Sequence, residues 1–137
     1  MTDVVPTLRL TAAGAEKVMA AAIAKAGALG APQCIAVVDA GGNLLAFTRM
    51  DGAKVHAVEA SLNKALTAAS HRARTGAMPP EVGAALAMAT EGRFVNAKGG
   101  EPIAVDGHVV GAIGVGSGTA EEDLAVAVAG AAALGAK

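Results

Sequence analysis

Three side chains and one turn in this 137-residue sequence carry groups able to do chemistry: Arg49, His56, Lys64 and the run Gly114-Val115-Gly116-Ser117-Gly118-Thr119. A guanidinium presents parallel donors to a carboxylate or phosphate. Arg49 shares a strand face with Phe47, which would put that fork beside an apolar wall. Lys64 lies at the edge of an apolar helical stripe, where desolvation would lower its pKa toward catalytic use. His56 opens a helix close to Asp51 and could act as acid or base. Thr119 with Glu122 three residues later spells a capping box, so the glycine run ends at a helix start. Unpaired N–H groups and a positive dipole end make such a turn a cradle for an anion.

Lys64, His56 and Arg49 are therefore the candidate catalytic residues, and Arg49, Gly116, Ser117, Gly118 and Thr119 the candidate substrate-binding residues. This set suits isomerisation, lyase chemistry or hydrolytic deamination of a small anionic metabolite without a bound cofactor. Each feature also has a plainer reading. Arg49 could pair with Asp39 or Asp51, Lys64 could be solvated, and the glycines could serve a tight strand-to-helix connection. Glu59, Glu101 and Asp123 could add a carboxylate to a pocket, although acidic residues at 121–123 also suit a helix N-terminus alone.

The remaining chemistry is sparse. His56, His71 and His108 are the only imidazoles, and no His-x-x-x-His pair occurs. The single cysteine, Cys34, sits in an apolar strand and excludes a cysteine zinc cage or an intrachain disulfide. No metal site is expected. The formal net charge of -1, without a basic cluster, argues against a nucleic-acid partner. Neither a signal-like N-terminus nor a long uncharged apolar span is present, so a cytoplasmic location and no membrane partner are expected.

The elements that must position these groups follow from periodicity. With Thr11 as N-cap, Ala15, Val18, Met19, Ala22, Ile23 and Ala26 form one helical stripe, which Gly27 weakens and Gly30 stops. Cys34–Asp39 and Leu44–Met50 read as a hairpin around Ala40-Gly41-Gly42-Asn43. Leu45, Phe47 and Arg49 would share one face of its second strand. A helix from about Lys54 to Arg74 follows, with Val58, Leu62, Ala65, Leu66, Ala69 and Ala73 as its buried stripe and Thr67 on the opposite one. Pro79-Pro80 begin a shorter helix reaching Met88. Pro102–Val105 and His108–Val115 flank Asp106-Gly107, whose tolerance of positive φ suits a type I′ turn. The last helix follows Thr119. A further strand near Thr7–Leu10 would make five. The order describes one α+β domain with an antiparallel sheet, spanning residues 1–137.

Ile35-Ala36-Val37-Val38-Asp39-Ala40-Gly41-Gly42-Asn43-Leu44-Leu45-Ala46-Phe47-Thr48-Arg49-Met50-Asp51-Gly52-Ala53 closely resembles the first signature of the GlcG/HbpS-like family. Lys64-Ala65 with Thr67-Ala68-Ala69 is similar to its second. Gly99-Gly100, Pro102-Ile103 and Val109–Val115 resemble its third. The resemblance covers nearly the whole chain. It implies a profilin-like α-β-α sandwich with a five-stranded antiparallel sheet, in a dimer or larger homo-oligomer. It also implies either haem binding, as in some members, or a role in a catabolic operon, as in others; a structural accessory role is a third possibility. Haem-binding members place a histidine on the first helix. Thr11–Gly30 has none here, which leaves His56 or His71 as replacement ligand.

Overall fold

The computed structural model describes residues 2–135. The elements are helix α1 (Ala12–Leu29), strands β1 (Cys34–Asp39) and β2 (Leu44–Arg49), helices α2 (Ala57–His71) and α3 (Pro80–Ala89), strands β3 (Gly100–Val105) and β4 (His108–Gly116), and helix α4 (Ala120–Ala131). A short 3-10 turn, Ala132–Leu134, follows. The strands form one antiparallel sheet in the order β2-β1-β4-β3. Helices α1 and α4 pack together over one face, and α2 covers the other. Every residue of the central strand β1 is buried, as expected of a strand enclosed by two helical layers.

The sheet has four strands among the described residues, not five. Thr7–Leu10 contributes a single backbone bond, Leu10 N–H to the Val110 carbonyl at 2.9 Å. One bond is not a ladder: Pro6 has no N–H to extend it, and the chain then turns into the Thr11 cap of α1. Leu10 still buries its side chain against Gly111 and the α1–α4 core.

Helix α2 sits on the sheet on a different stripe from the one expected. Its buried residues are Ala57, Ser61, Lys64, Ala65, Thr67, Ala68 and Ala69, with Leu62 and Leu66 only half-buried. The cause is a close approach. A Cβ on Gly114 would run into the Ser61 carbonyl and the Ala65 backbone, and one on Gly116 would meet Ala57 Cβ at 3.3 Å. At that separation only small side chains fit between helix and sheet, so the leucines are displaced to the flanks. Thr67 is drawn in because its hydroxyl donates to the Asn63 carbonyl at 2.7 Å and accepts from Val95 N–H at 3.1 Å.

A bulge between Val37 and Val38 shifts the β1–β2 register, pairing Val37 with Ala46 and Val38 with Leu44. Leu45 is the extra residue and packs toward α1, whereas Phe47 packs toward α2. Those two residues thus do not share a face. The β3–β4 hairpin turns through Asp106 and Gly107 at φ 50° and 78°, the double positive φ of a type I′ turn. Thr119 and Glu122 complete both bonds of the capping box.

Candidate functional site

Lys64 is buried rather than solvated. From α2 its ammonium donates to the Val115 carbonyl at 2.9 Å and to Asp123 Oδ2 at 3.1 Å. Both side chains of the pair are under 10% exposed, at 8% and 6%. Glycine makes this geometry possible, since a Cβ on Gly99 would meet Lys64 Nζ at 3.1 Å. The other oxygen of Asp123 accepts the Gly118 N–H at 3.0 Å. Burial pushes the Asp123 carboxyl above the ordinary carboxylate range. The Lys64 charge and hydrogen bond pull it back, followed by the Gly118 N–H and the nearby Gln33 amide. This pair can hold a proton beside the glycine turn; its ammonium is occupied and does not present a free amine.

Gln33 completes the cluster, and no sequence pattern had singled it out. It immediately precedes β1 and is fully buried. Neither its Nε2 nor its Oε1 makes a hydrogen bond of good geometry, although the amide lies close enough to Asp123 to help hold its charge. A Cβ on Gly118 would stand 2.5 Å from Gln33 Nε2 and 3.0 Å from both Asp123 Oδ1 and Glu122 Oε1. The amide therefore lies against the backbone of the turn.

The turn meets its own acidic residues first. Gly118 N–H is bonded to Asp123, and Thr119 N–H to Glu122 Oε1 at 2.9 Å. Two of the N–H groups counted toward an anion cradle are thus occupied from within the chain. Ser117 is tied to the loop before α2: its hydroxyl accepts Lys54 N–H at 2.9 Å and its carbonyl accepts the Lys54 ammonium at 3.2 Å. Beside these contacts lies a cleft of about 280 Å³, lined in part by Pro32, Gly52, Lys54, Ser117, Gly118 and Glu122.

Arg49 is placed one step away. It pairs across β1 with Cys34, which pairs in turn with Gly116, so the three share one row of the sheet on the α2 side. Its guanidinium donates to the Ala53 carbonyl at 3.2 Å. No ion pair with Asp39 or Asp51 forms among the described residues; Asp39 instead accepts Gly41 N–H, Asn43 N–H and the Asn43 amide at the β1–β2 turn. Cys34 is fully buried beneath the same loop, and burial raises its thiol pKa. The structure brings Lys64, Asp123, Gln33 and the Gly116–Thr119 turn together. Arg49 is instead held on the Ala53 carbonyl, and exposed His56, at the start of α2, makes no side-chain cap bond.

The other histidines line separate clefts. His71, exposed at the end of α2, sets its ring edge-on to Phe94 with centroids 5.1 Å apart. The two rings and Thr67 are shared by clefts of about 230 and 220 Å³, the first also lined by Leu66 and Arg93, the second by Arg74 and Met78. Arg74 is held by Glu101 through bonds of 2.7 and 3.0 Å, which keep its guanidinium charged. His108 lines a cleft of about 490 Å³ with Arg72 and residues 6–8 of the N-terminal arm. Among the described residues no cluster of His, Cys, Asp and Glu could hold a metal ion. None of the helices described is long and apolar enough to cross a membrane.

A four-stranded antiparallel sheet between helical layers, with glycines letting a buried lysine reach the turn before the last helix, defines a class of small α+β domains. The chain belongs to the HbpS-like family, described as haem degrading protein HbpS-like, whose model matches residues 10–132. It is 41% identical over 119 residues to an uncharacterised 15.0 kDa protein of the dhaT-dhaS intergenic region of Citrobacter freundii, covering 83% of this chain and 84% of that one. Its fold is similar to Klebsiella pneumoniae protein ORFY, with a TM-score of 0.90 and 32% identity over 100% of this chain and 98% of the other. It is also similar to a PduOC:haem complex, with a TM-score of 0.85 and 26% identity over 93% and 96% of the two chains.

Proposed function

We propose that this chain binds haem in the groove between the end of α2 and the loop after α3, with the His71 imidazole as the group that would hold the iron. One observation carries the reading: the exposed His71 imidazole stands edge-on to Phe94 where two clefts share their walls. The donor set fits the group. An imidazole can ligate iron, a phenyl ring can pack on the macrocycle, the Met78 thioether adds a second soft donor, and Arg93 offers a guanidinium to a propionate. Haem in this groove would supply a redox-active iron held by the His71 imidazole. The haem complex of a structural relative supports the class of ligand. Titration of haem into the protein tests the placement. A Soret shift lost in His71→Ala and retained in His108→Ala is expected; a shift that survives His71→Ala overturns it.

A second reading is a small-molecule site at the β4–α4 turn, where Lys64, Arg49 and His56 would serve a cofactor-independent isomerase, lyase or deaminase of a catabolic pathway. A cleft of about 280 Å³ lined by Lys54, Ser117, Gly118 and Glu122 favours it. In both readings the protein works as a homo-oligomer. Helix α3 supports this, because it buries only Gly83 and leaves Val82 and Met88 at 42% and 82% exposure.

A further inference from the structure

We infer that the cleft between the N-terminal arm and the β3–β4 turn is a separate ligand site, taking a small organic carboxylate with an apolar body on Arg72 and His108. This cleft, of about 490 Å³, shares no lining residue with the two clefts beside His71, so the inference stands apart from the haem reading. Arg72 caps the end of α2 at φ 53° and ψ 38°, the left-handed region where glycine is the ordinary residue. A side chain there strains the backbone, and a long cation held in such a place points to a use. Three other arginines are spent within the chain: Arg49 on the Ala53 carbonyl, Arg74 on Glu101 and Arg93 on the Thr90 carbonyl. The Arg72 guanidinium lines the cleft and forms no ion pair among the described residues.

The rest of the lining selects the ligand. His108 adds an imidazole, which donates through one ring nitrogen in either tautomer. The N–H groups of Thr7, on the arm, and Gly107, on the turn, bond no backbone carbonyl among the described residues. No acidic side chain lines the cleft, and Asp106, next to Gly107 in the chain, is not among its walls. A fixed cation with further donors and no carboxylate favours an anion over a cation or a neutral molecule. Leu8 and Val109 supply apolar wall, which an organic body would cover and a bare inorganic anion would leave in water.

Three probes separate these elements. Benzoate, benzamide and inorganic phosphate are each titrated into 15N-labelled full-length protein. Benzoate should give saturable shifts at the Thr7, Gly107 and His108 amides and at Arg72 Nε. Benzamide keeps the ring without the charge, and phosphate keeps the charge without the ring; each should bind at least about tenfold more weakly. Arg72→Gly removes the cation and relieves the left-handed backbone. Its thermal midpoint should therefore hold or rise while its benzoate affinity falls by about tenfold or more. Benzamide binding as tightly as benzoate overturns the carboxylate, and phosphate doing so overturns the apolar body. Affinity kept in Arg72→Gly overturns the role of Arg72. No saturable shift with benzoate at these residues overturns the site and leaves the haem reading standing.

Discussion

Replacing Lys64 with methionine should cost about 3–4 kcal/mol of folding stability at neutral pH. The value follows from the burial of the Lys64–Asp123 pair. At 3.1 Å, with an effective dielectric of about 20, the attraction is about 5 kcal/mol. Relief of the lysine's own desolvation offsets part of that loss, and the Val115 carbonyl loses a charged donor. What is left is a carboxylate 4% exposed with no counter-ion. Its remaining help is the Gly118 N–H and the Gln33 amide.

The pH dependence has a definite sign. Burial already raises the Asp123 pKa in the folded protein, so the folded state holds this proton more tightly than the unfolded chain. The associated stability is present below the ordinary aspartate pKa and is lost as pH rises through the folded-state value. Without Lys64 that value moves further up. The penalty in Lys64→Met should therefore shrink as pH falls into the acid range. Urea unfolding of wild type, Lys64→Met and Lys64→Met/Asp123→Leu, at neutral and mildly acidic pH, measures this. The double variant should recover most of the loss at neutral pH, because it removes the unpaired charge. A single-variant loss under about 1 kcal/mol, or one that grows on acidification, would refute the reasoning.

Glycine substitutions should split by position. Gly27→Ala, in the last turn of α1, has nothing within 4 Å of its new Cβ and should stabilise by roughly 0.5 kcal/mol in thermal unfolding. Gly114→Ala meets Ala65 Cβ at 3.0 Å and helix backbone closer still, and should cost about 3 kcal/mol or more by the same assay. Val82→Glu/Met88→Glu should lower the sedimentation-derived mass while leaving the circular dichroism unchanged. Retention of the wild-type mass would remove α3 from the interface.

Local chemistry made much of the fold readable. Thr11, Asp106-Gly107 and the Thr119–Glu122 box each act within a few residues, and each appears as the sequence implies. The buried stripe of α2 differs from the one its periodicity implies because the spacing between α2 and the sheet is set by Gly114 and Gly116 on another element. Periodicity within the helix carries no trace of that distance. The fifth strand failed for a related reason: an extended segment reads as a strand whether or not its backbone finds a ladder. At the site, the charge of Lys64 was visible but its partner was not, since Asp123 lies 59 residues along the chain. Asp123 itself read equally well as helix-end charge. Gln33 gave no signal at all, because a lone glutamine before an apolar strand looks like a surface residue until three elements close over it.

The placement of haem is open to one direct measurement: paramagnetic broadening of the amide spectrum during haem titration. The account predicts loss of signal at residues 66–78 and 93–96, around His71 and Phe94. Broadening centred instead on residues 107–109 or on the Lys54–Ser117 contact would contradict it.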